Sequence, residues 1–209
     1  MTPKRTKQLK IGGALLLAYA VLCYIPSCGS VIDQTTGKPI AGAVVMAYWQ
    51  GHVSSIVQGH SLCTNVEVTT TDESGRFWIP IFSGNLNPFI TDRYRPVEVI
   101  AHGYEQTSKS RELDLIFMMA PRQGTRSEQF EDADRHYRAA GCYTWNKKKI
   151  LPYLKAWHKE LDALASTPTQ RTRANYLLND FESIEYGEEV ASARRAKRIQ
   201  ATQKSEVEK

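Results

Sequence analysis

Two runs of short strand, each broken by a turn of defined chemistry, constrain this chain more than any other feature. The first is Gly29-Ser-Val-Ile-Asp-Gln-Thr-Thr-Gly-Lys-Pro-Ile-Ala-Gly-Ala-Val-Val-Met-Ala-Tyr48, and the second is Thr69-Thr-Thr-Asp-Glu-Ser-Gly-Arg-Phe-Trp-Ile-Pro80. In Thr36-Gly37-Lys38-Pro39 the glycine permits positive φ and the proline fixes its own. In Asp72-Glu73-Ser74-Gly75 the aspartate is placed to bond its own backbone, and Gly75 to enter the left-handed region. Phe77 and Ile79 alternate with Arg76 and Trp78, the period of a half-buried strand. Further strands are expected at Ser30–Asp33, Ala43–Trp49, Thr64–Thr71, Pro96–Ala101 and Leu113–Met119. Ala43–Trp49 is apolar almost without interruption, which predicts a central strand covered on both faces or offering one face to another element. Gln50–Leu62 and Ser83–Asp92 have loop composition.

After Pro121 helix formers replace β-branched residues. The spacing predicts helices over Ser127–Cys142, Asn146–Ala165 and Pro168–Ile184, with Thr167-Pro168 opening the last and Tyr186-Gly187 closing it. Pro152 either kinks the second helix or marks its start. The chain therefore divides into a leader (residues 1–28), a β region (29–121), a helical extension (122–186) and a polar tail (187–209), helical and solvated or else disordered. The fold class is α+β.

The two turn-and-strand runs resemble the carboxypeptidase regulatory-like domain, a small antiparallel β-sandwich of the transthyretin-like type. The resemblance covers less than half of the chain and ends before the helices. His102-Gly103-Tyr104 stands where that family often has a Gly-Tyr step, and Leu113–Pro121 is similar to its closing strand. The resemblance implies an accessory module without catalytic residues. Two enzyme classes share the topology, and neither pattern is present. Hydroxyisourate hydrolases end in Tyr-Arg-Gly-Ser, whereas this chain ends Ser-Glu-Val-Glu-Lys209, with Tyr94-Arg95 internal. Intradiol dioxygenases hold iron with two tyrosines and two closely spaced histidines, and only His102 and Tyr104 come near that.

The net charge of +5 comes mostly from the N-terminal segment. Lys4, Arg5, Lys7 and Lys10 precede an apolar run, Ile11–Ile25, of about 15 residues, which is short of the roughly 20 that a spanning helix needs. Taking those four from the 27 basic residues leaves 23 against 22 acidic ones, so the basic balance speaks of targeting and not of nucleic acid. A basic start followed by a short apolar run reads as an export signal. Ile25-Pro-Ser-Cys28-Gly29 resembles a bacterial lipobox, with Pro26 as its departure, and implies lipidation at Cys28. Gly29 in place of aspartate implies sorting to the outer membrane of a Gram-negative cell, facing the periplasm. Cleavage without lipid (a periplasmic protein) and an uncleaved inner-membrane anchor are the alternatives. Removal of the leader leaves Cys63 and Cys142, a disulfide pair in an oxidising compartment or two buried thiols.

No catalytic residue, metal or cofactor is expected. His60-Ser-Leu-Cys63 has metal-like spacing but no second pair of soft ligands. Glu131-Asp-Ala-Asp-Arg-His136 reads as i,i+4 pairing, Glu131 with Arg135 and Asp132 with His136. No His-Glu-x-x-His or Gly-x-Ser-x-Gly motif occurs. Tyr48, Trp49, Trp78 and Phe89 offer an aromatic ligand or glycan face. The preferred role for Trp78 is instead as the surface on which the helices dock. Arg194-Arg-Ala-Lys-Arg198 reads as a solvated charged helix. The expected function is a membrane-anchored interaction module for an envelope protein or glycan, with an enzyme-accessory domain or small hydrolase as the alternative. Convergence of His52, His60, His102 and Glu98 in one pocket is the mark of the second.

Overall fold

The computed structural model describes residues 26–53, 60–80, 90–94, 96–107, 116–138, 142 and 147–207. The apolar run Ile11–Ile25, Phe89, Leu113 and the helix cap expected at Asn146 lie outside them. The strands are β1 (Pro26–Asp33), β2 (Val44–Val53), β3 (His60–Thr70), β4 (Arg76–Pro80), β5 (Ile90–Tyr94), β6 (Val97–Ile100), β7 (Tyr104–Gln106) and β8 (Ile116–Pro121). The helices are α1 (Arg126–Arg138), α2 (Lys147–Leu164), α3 (Pro168–Tyr186) and α4 (Glu188–Val207). The chain is thus α+β, with its helices after its strands.

One sheet has the order β4-β1-β8-β7. It is not wholly antiparallel: β1 runs parallel to β8, with Val31 opposite Phe117, and antiparallel to β4. In the other sheet β2 pairs with β3 along its whole length and with β6 and β5 on its other edge. The segments expected as loops are shorter than their composition suggests. β2 runs on to Val53 past a register shift at Trp49/Gln50, β3 begins at His60, and Ile90–Tyr94 pairs with the far end of β2. Backbone pairing overrides the polar composition there, as it does in strands with one open face.

β2 is covered on both sides, which accounts for its unbroken apolar run. Val45, Ala47 and Trp49 point into a core shared by the two sheets, with Val31, Phe77, Ile79, Val99, Phe117 and Met119. Met46 and Tyr48 point the other way, into a second core with Val66 and Ile100 and the helices. There α2 supplies Ile150, Tyr153, Leu154, Trp157 and Leu161 at helical spacing, and Pro152 lies within it. Each such side chain contributes roughly 1.5–3 kcal/mol on burial. α3 starts with a capping box, Thr167 with Gln170, and with Pro168 in its first turn. Gly187, at φ +83°, ends it and donates to the Ser183 carbonyl. The tail is the helix α4.

The two turns pack on each other. Asp33 Oδ1 accepts from the amides of Thr35 and Thr36, and Gly37 takes φ +69° before Pro39. Asp72 Oδ1 accepts from the amides of Arg76 and Ser74, and these bonds hold its carboxyl below the usual range. Gly75 sits at φ +70°, and a Cβ there would lie 2.8 Å from both Pro39 Cβ and the Val31 carbonyl oxygen. The missing side chain is therefore what lets the second turn lie on the first. Gly75→Val is expected to cost on the order of 1–2 kcal/mol for the backbone conformation alone, and more for the collision with main chain. A thermal unfolding curve that coincides with the wild type would refute this.

Candidate functional site

The expected lipidation site, Cys28, lies in β1, at the outer face of the first sheet. Cys28 is free and exposed in β1. Burial alternates along that strand: Gly29, Val31 and Asp33 point inward, so Cys28, Ser30 and Ile32 point outward. In β4 Phe77 and Ile79 are buried while Trp78 is 53% exposed. Cys28 and Trp78 are register partners on adjacent strands. Trp78 is therefore not the dock for the helices, which cover β2, β3 and β6 on the opposite side of the molecule. The direction of a strand side chain follows from which face is buried, and Phe77 and Ile79 fix it here.

Tyr48 and Trp49 are both buried, and on opposite sides of β2, so they do not join Trp78 in an aromatic face. Of the four residues of the expected histidine pocket, His52, Glu98 and His102 are dispersed, while His60 stands in β3 opposite Val53, next to His52 in the paired strand, with its side chain outside those described. His52 is near the far end of β2. His102 follows β6, whose Ile100 pairs with Val44 at the near end. Eight residues of strand, about 26 Å, separate those two ends. Glu98 lies between them, opposite Met46.

Cys63 and Cys142 form a disulfide, with their Cα atoms 5.8 Å apart. It ties β3 to the segment after α1 and removes Cys63 as a thiolate ligand. Among the described residues no three His, Cys, Asp or Glu side chains gather as a metal-holding group, and no helix is long and apolar enough to cross a membrane.

A charged cluster that was not expected joins the first sheet's turn to the helices. Glu160 of α2 is 1% exposed. Its carboxylate meets His102 Nδ1 at 2.7 Å and Arg122 Nε at 3.0 Å, and it accepts from the Gly103 amide at 3.2 Å. Arg122 is almost as buried as Glu160, whereas His102 is largely exposed. With Nδ1 on a carboxylate, His102 has the orientation of a general base. Among the described residues, however, no hydroxyl or thiol is hydrogen-bonded to it, and Arg122 neutralises the carboxylate. Spacing held the clue to Glu160: Tyr153, Trp157, Glu160 and Leu164 fall on one stripe of α2.

Several side chains of the other charged motifs are paired within the molecule. Glu131 takes Arg173 and not Arg135 as its ion-pair partner, although the Arg135 charge also acts on it, and the His136 side chain expected to face Asp132 lies outside those described. Arg173 of α3 binds both Glu131 and Asp134, which holds the Glu131 carboxyl below the usual range, while Arg135 lies 3.4 Å from Asp132. Arg198 of α4 makes two bonds to Glu182 and one to Asn179, and Arg194 stacks over the Tyr186 ring at 4.0 Å. His158 is half-buried and set edge-on to Phe181, and burial pushes its pKa down.

Neither a family model nor a curated protein sequence matches the chain. Among solved structures it is similar to a 9R-lipoxygenase from Cyanothece PCC8801, at 12% identity and a TM-score of 0.26. That match covers 71% of this chain and 26% of the lipoxygenase. A likeness this slight carries no argument about fold or activity.

Proposed function

We propose that the chain is an exported envelope protein, anchored to a membrane at Cys28. Its paired sheets act as a non-catalytic interaction module of the transthyretin-like, carboxypeptidase regulatory-like type. The observation that carries the reading is the contrast among the cysteines. Cys63 and Cys142 are joined, as in oxidising compartments. Cys28, which follows the basic and apolar leader, stays free and exposed on the outer face of β1. The dispersal of His52, Glu98 and His102 favours binding over catalysis. An outer-membrane site facing the periplasm follows from Gly29 after the cysteine, and the partner is an envelope protein or glycan.

Lipidation has a direct measurement. Metabolic labelling with a fatty acid is expected to mark the wild type and to disappear in Cys28→Ser. Equal labelling of both would sink the assignment, and a soluble, unlabelled mature form would point to cleavage without lipid. A second reading, a small hydrolase or enzyme-accessory domain, draws on the His102–Glu160 pair. Ester or peptide turnover by the purified protein, lost on His102→Ala, is the outcome that favours it.

A further inference from the structure

The membrane-anchored reading leaves open how the molecule sits on its membrane. We propose that the outer face of the β4-β1-β8 sheet lies against the lipid surface, with the Trp78 indole seated at headgroup level beside the anchor. The inference rests on the anchored reading and adds an orientation to it.

Four observations converge on this face. Cys28 and Trp78 are cross-strand neighbours, so their Cβ atoms are about 5 Å apart. Acyl chains attached at the Cys28 sulfur would begin within one side-chain length of the indole. An uncleaved apolar segment ending at Ile25 would enter the same strand. Second, the outward positions around that pair are apolar. Ile116 is 56% exposed opposite Ser30, and Ile32, Met118 and Ala120 are half-buried beside it. Third, the charge pattern suits a lipid surface. The outward positions of β4, β1 and β8 carry one charge, Arg76, which acts on Asp72 in the turn before β4, and on the other side of the sheet the outward acidic side chain Glu105 is on β7. The strand positions around Cys28 and Trp78 therefore hold no carboxylate to repel anionic headgroups. Fourth, the other sheet's outer face is already covered by the helices.

Tryptophan suits this position because its ring is apolar and its N–H still needs a polar partner, a combination met at the headgroup boundary. An exposed indole beside a lipid attachment point adds a second contact to a single anchor, and stable membrane attachment generally takes two such signals. In this orientation α1–α4 face away from the bilayer, and the helical layer is what a soluble partner meets.

The test uses full-length protein processed in cells, extracted in detergent and reconstituted into vesicles of phosphatidylethanolamine and phosphatidylglycerol, with and without lipids brominated near the acyl carbonyls. The other three tryptophans, Trp49, Trp145 and Trp157, are common to both proteins, so the difference between the wild type and Trp78→Phe isolates the emission of Trp78. That emission is expected to be lost with shallow bromines and spared by aqueous iodide. A wild type that does not float with the vesicles overturns the anchored reading and this orientation with it. Flotation that depends on Cys28, combined with iodide-quenched and bromine-insensitive Trp78 emission, overturns the orientation alone. A dimer dissociated by Trp78→Arg, without bromine quenching, also overturns it and makes the face a contact between copies of the chain.

Discussion

Glu160→Ala is expected to lower the unfolding free energy by about 3–5 kcal/mol, a loss usually associated with deleting a large core side chain. The reason is the company Glu160 keeps. Its carboxylate is nearly inaccessible, and so is the guanidinium of Arg122 3.0 Å away. Removing the carboxylate takes a counter-charge from that buried cation and the acceptor from the Gly103 amide. Glu160→Gln keeps the shape and an acceptor but not the charge, so most of the loss is expected to persist. His102→Ala is the contrasting variant: its ring is 67% exposed, and solvent screening limits its share to under about 1 kcal/mol. Urea denaturation of the three variants decides the matter. Equal and small shifts for Glu160→Ala and His102→Ala would show that the cluster is a surface ion pair and does not tie the helices to the sheet.

Breaking the Cys63–Cys142 bond is expected to cost about 4 kcal/mol, because it closes a loop spanning 79 residues of the unfolded chain. The double replacement Cys63→Ala with Cys142→Ala avoids exposing a lone thiol. It adds only a small packing loss at Cys142, which is fully buried. The expected result is a lower urea midpoint for the double variant, and the same shift when the wild type is reduced. Non-reducing peptide mapping of the purified protein checks the bond itself. Two free thiols, or a midpoint indifferent to reductant, would defeat the claim. Because the bond joins β3 to the segment after α1, its loss should also separate one unfolding transition into two, the helices loosening before the sheets.

What could be read from the sequence was what a few residues encode locally. Asp72 and Gly75 specify a turn wherever they are placed, Thr167-Pro168 with Gln170 specifies a helix start, and the stripe from Ile150 to Leu164 specifies a buried helix face. The double coverage of β2 was legible for the same reason, since only a strand without a wet face can be apolar throughout. Ile90–Tyr94 escaped because Asp92 is a poor strand former and the turn-rich residues from Ser83 to Pro88 precede it, while pairing with β2 holds it in a strand. The openness of Trp78 escaped because alternation says that two faces differ without saying which one the helices take. Glu160 escaped because a charged residue on an apolar stripe is read as an exception until its partners, His102 and Arg122, arrive from distant parts of the chain.

The parallel pairing of β1 with β8 has a kinetic consequence. Ser30 and Ile116 are register partners 86 residues apart in sequence (116 − 30), so the sheet bearing Trp78 is assembled across a long closure. In a chain delivered from its N-terminus, β1 is available first and must wait. Its edge toward β4 stays open until Pro80 has appeared, and its edge toward β8 until Pro121 has. The β2–β3 hairpin, by contrast, needs only neighbouring residues. The first strand to arrive is thus among the last to be enclosed. Until then its two free edges are the part of the nascent protein most exposed to wrong pairing.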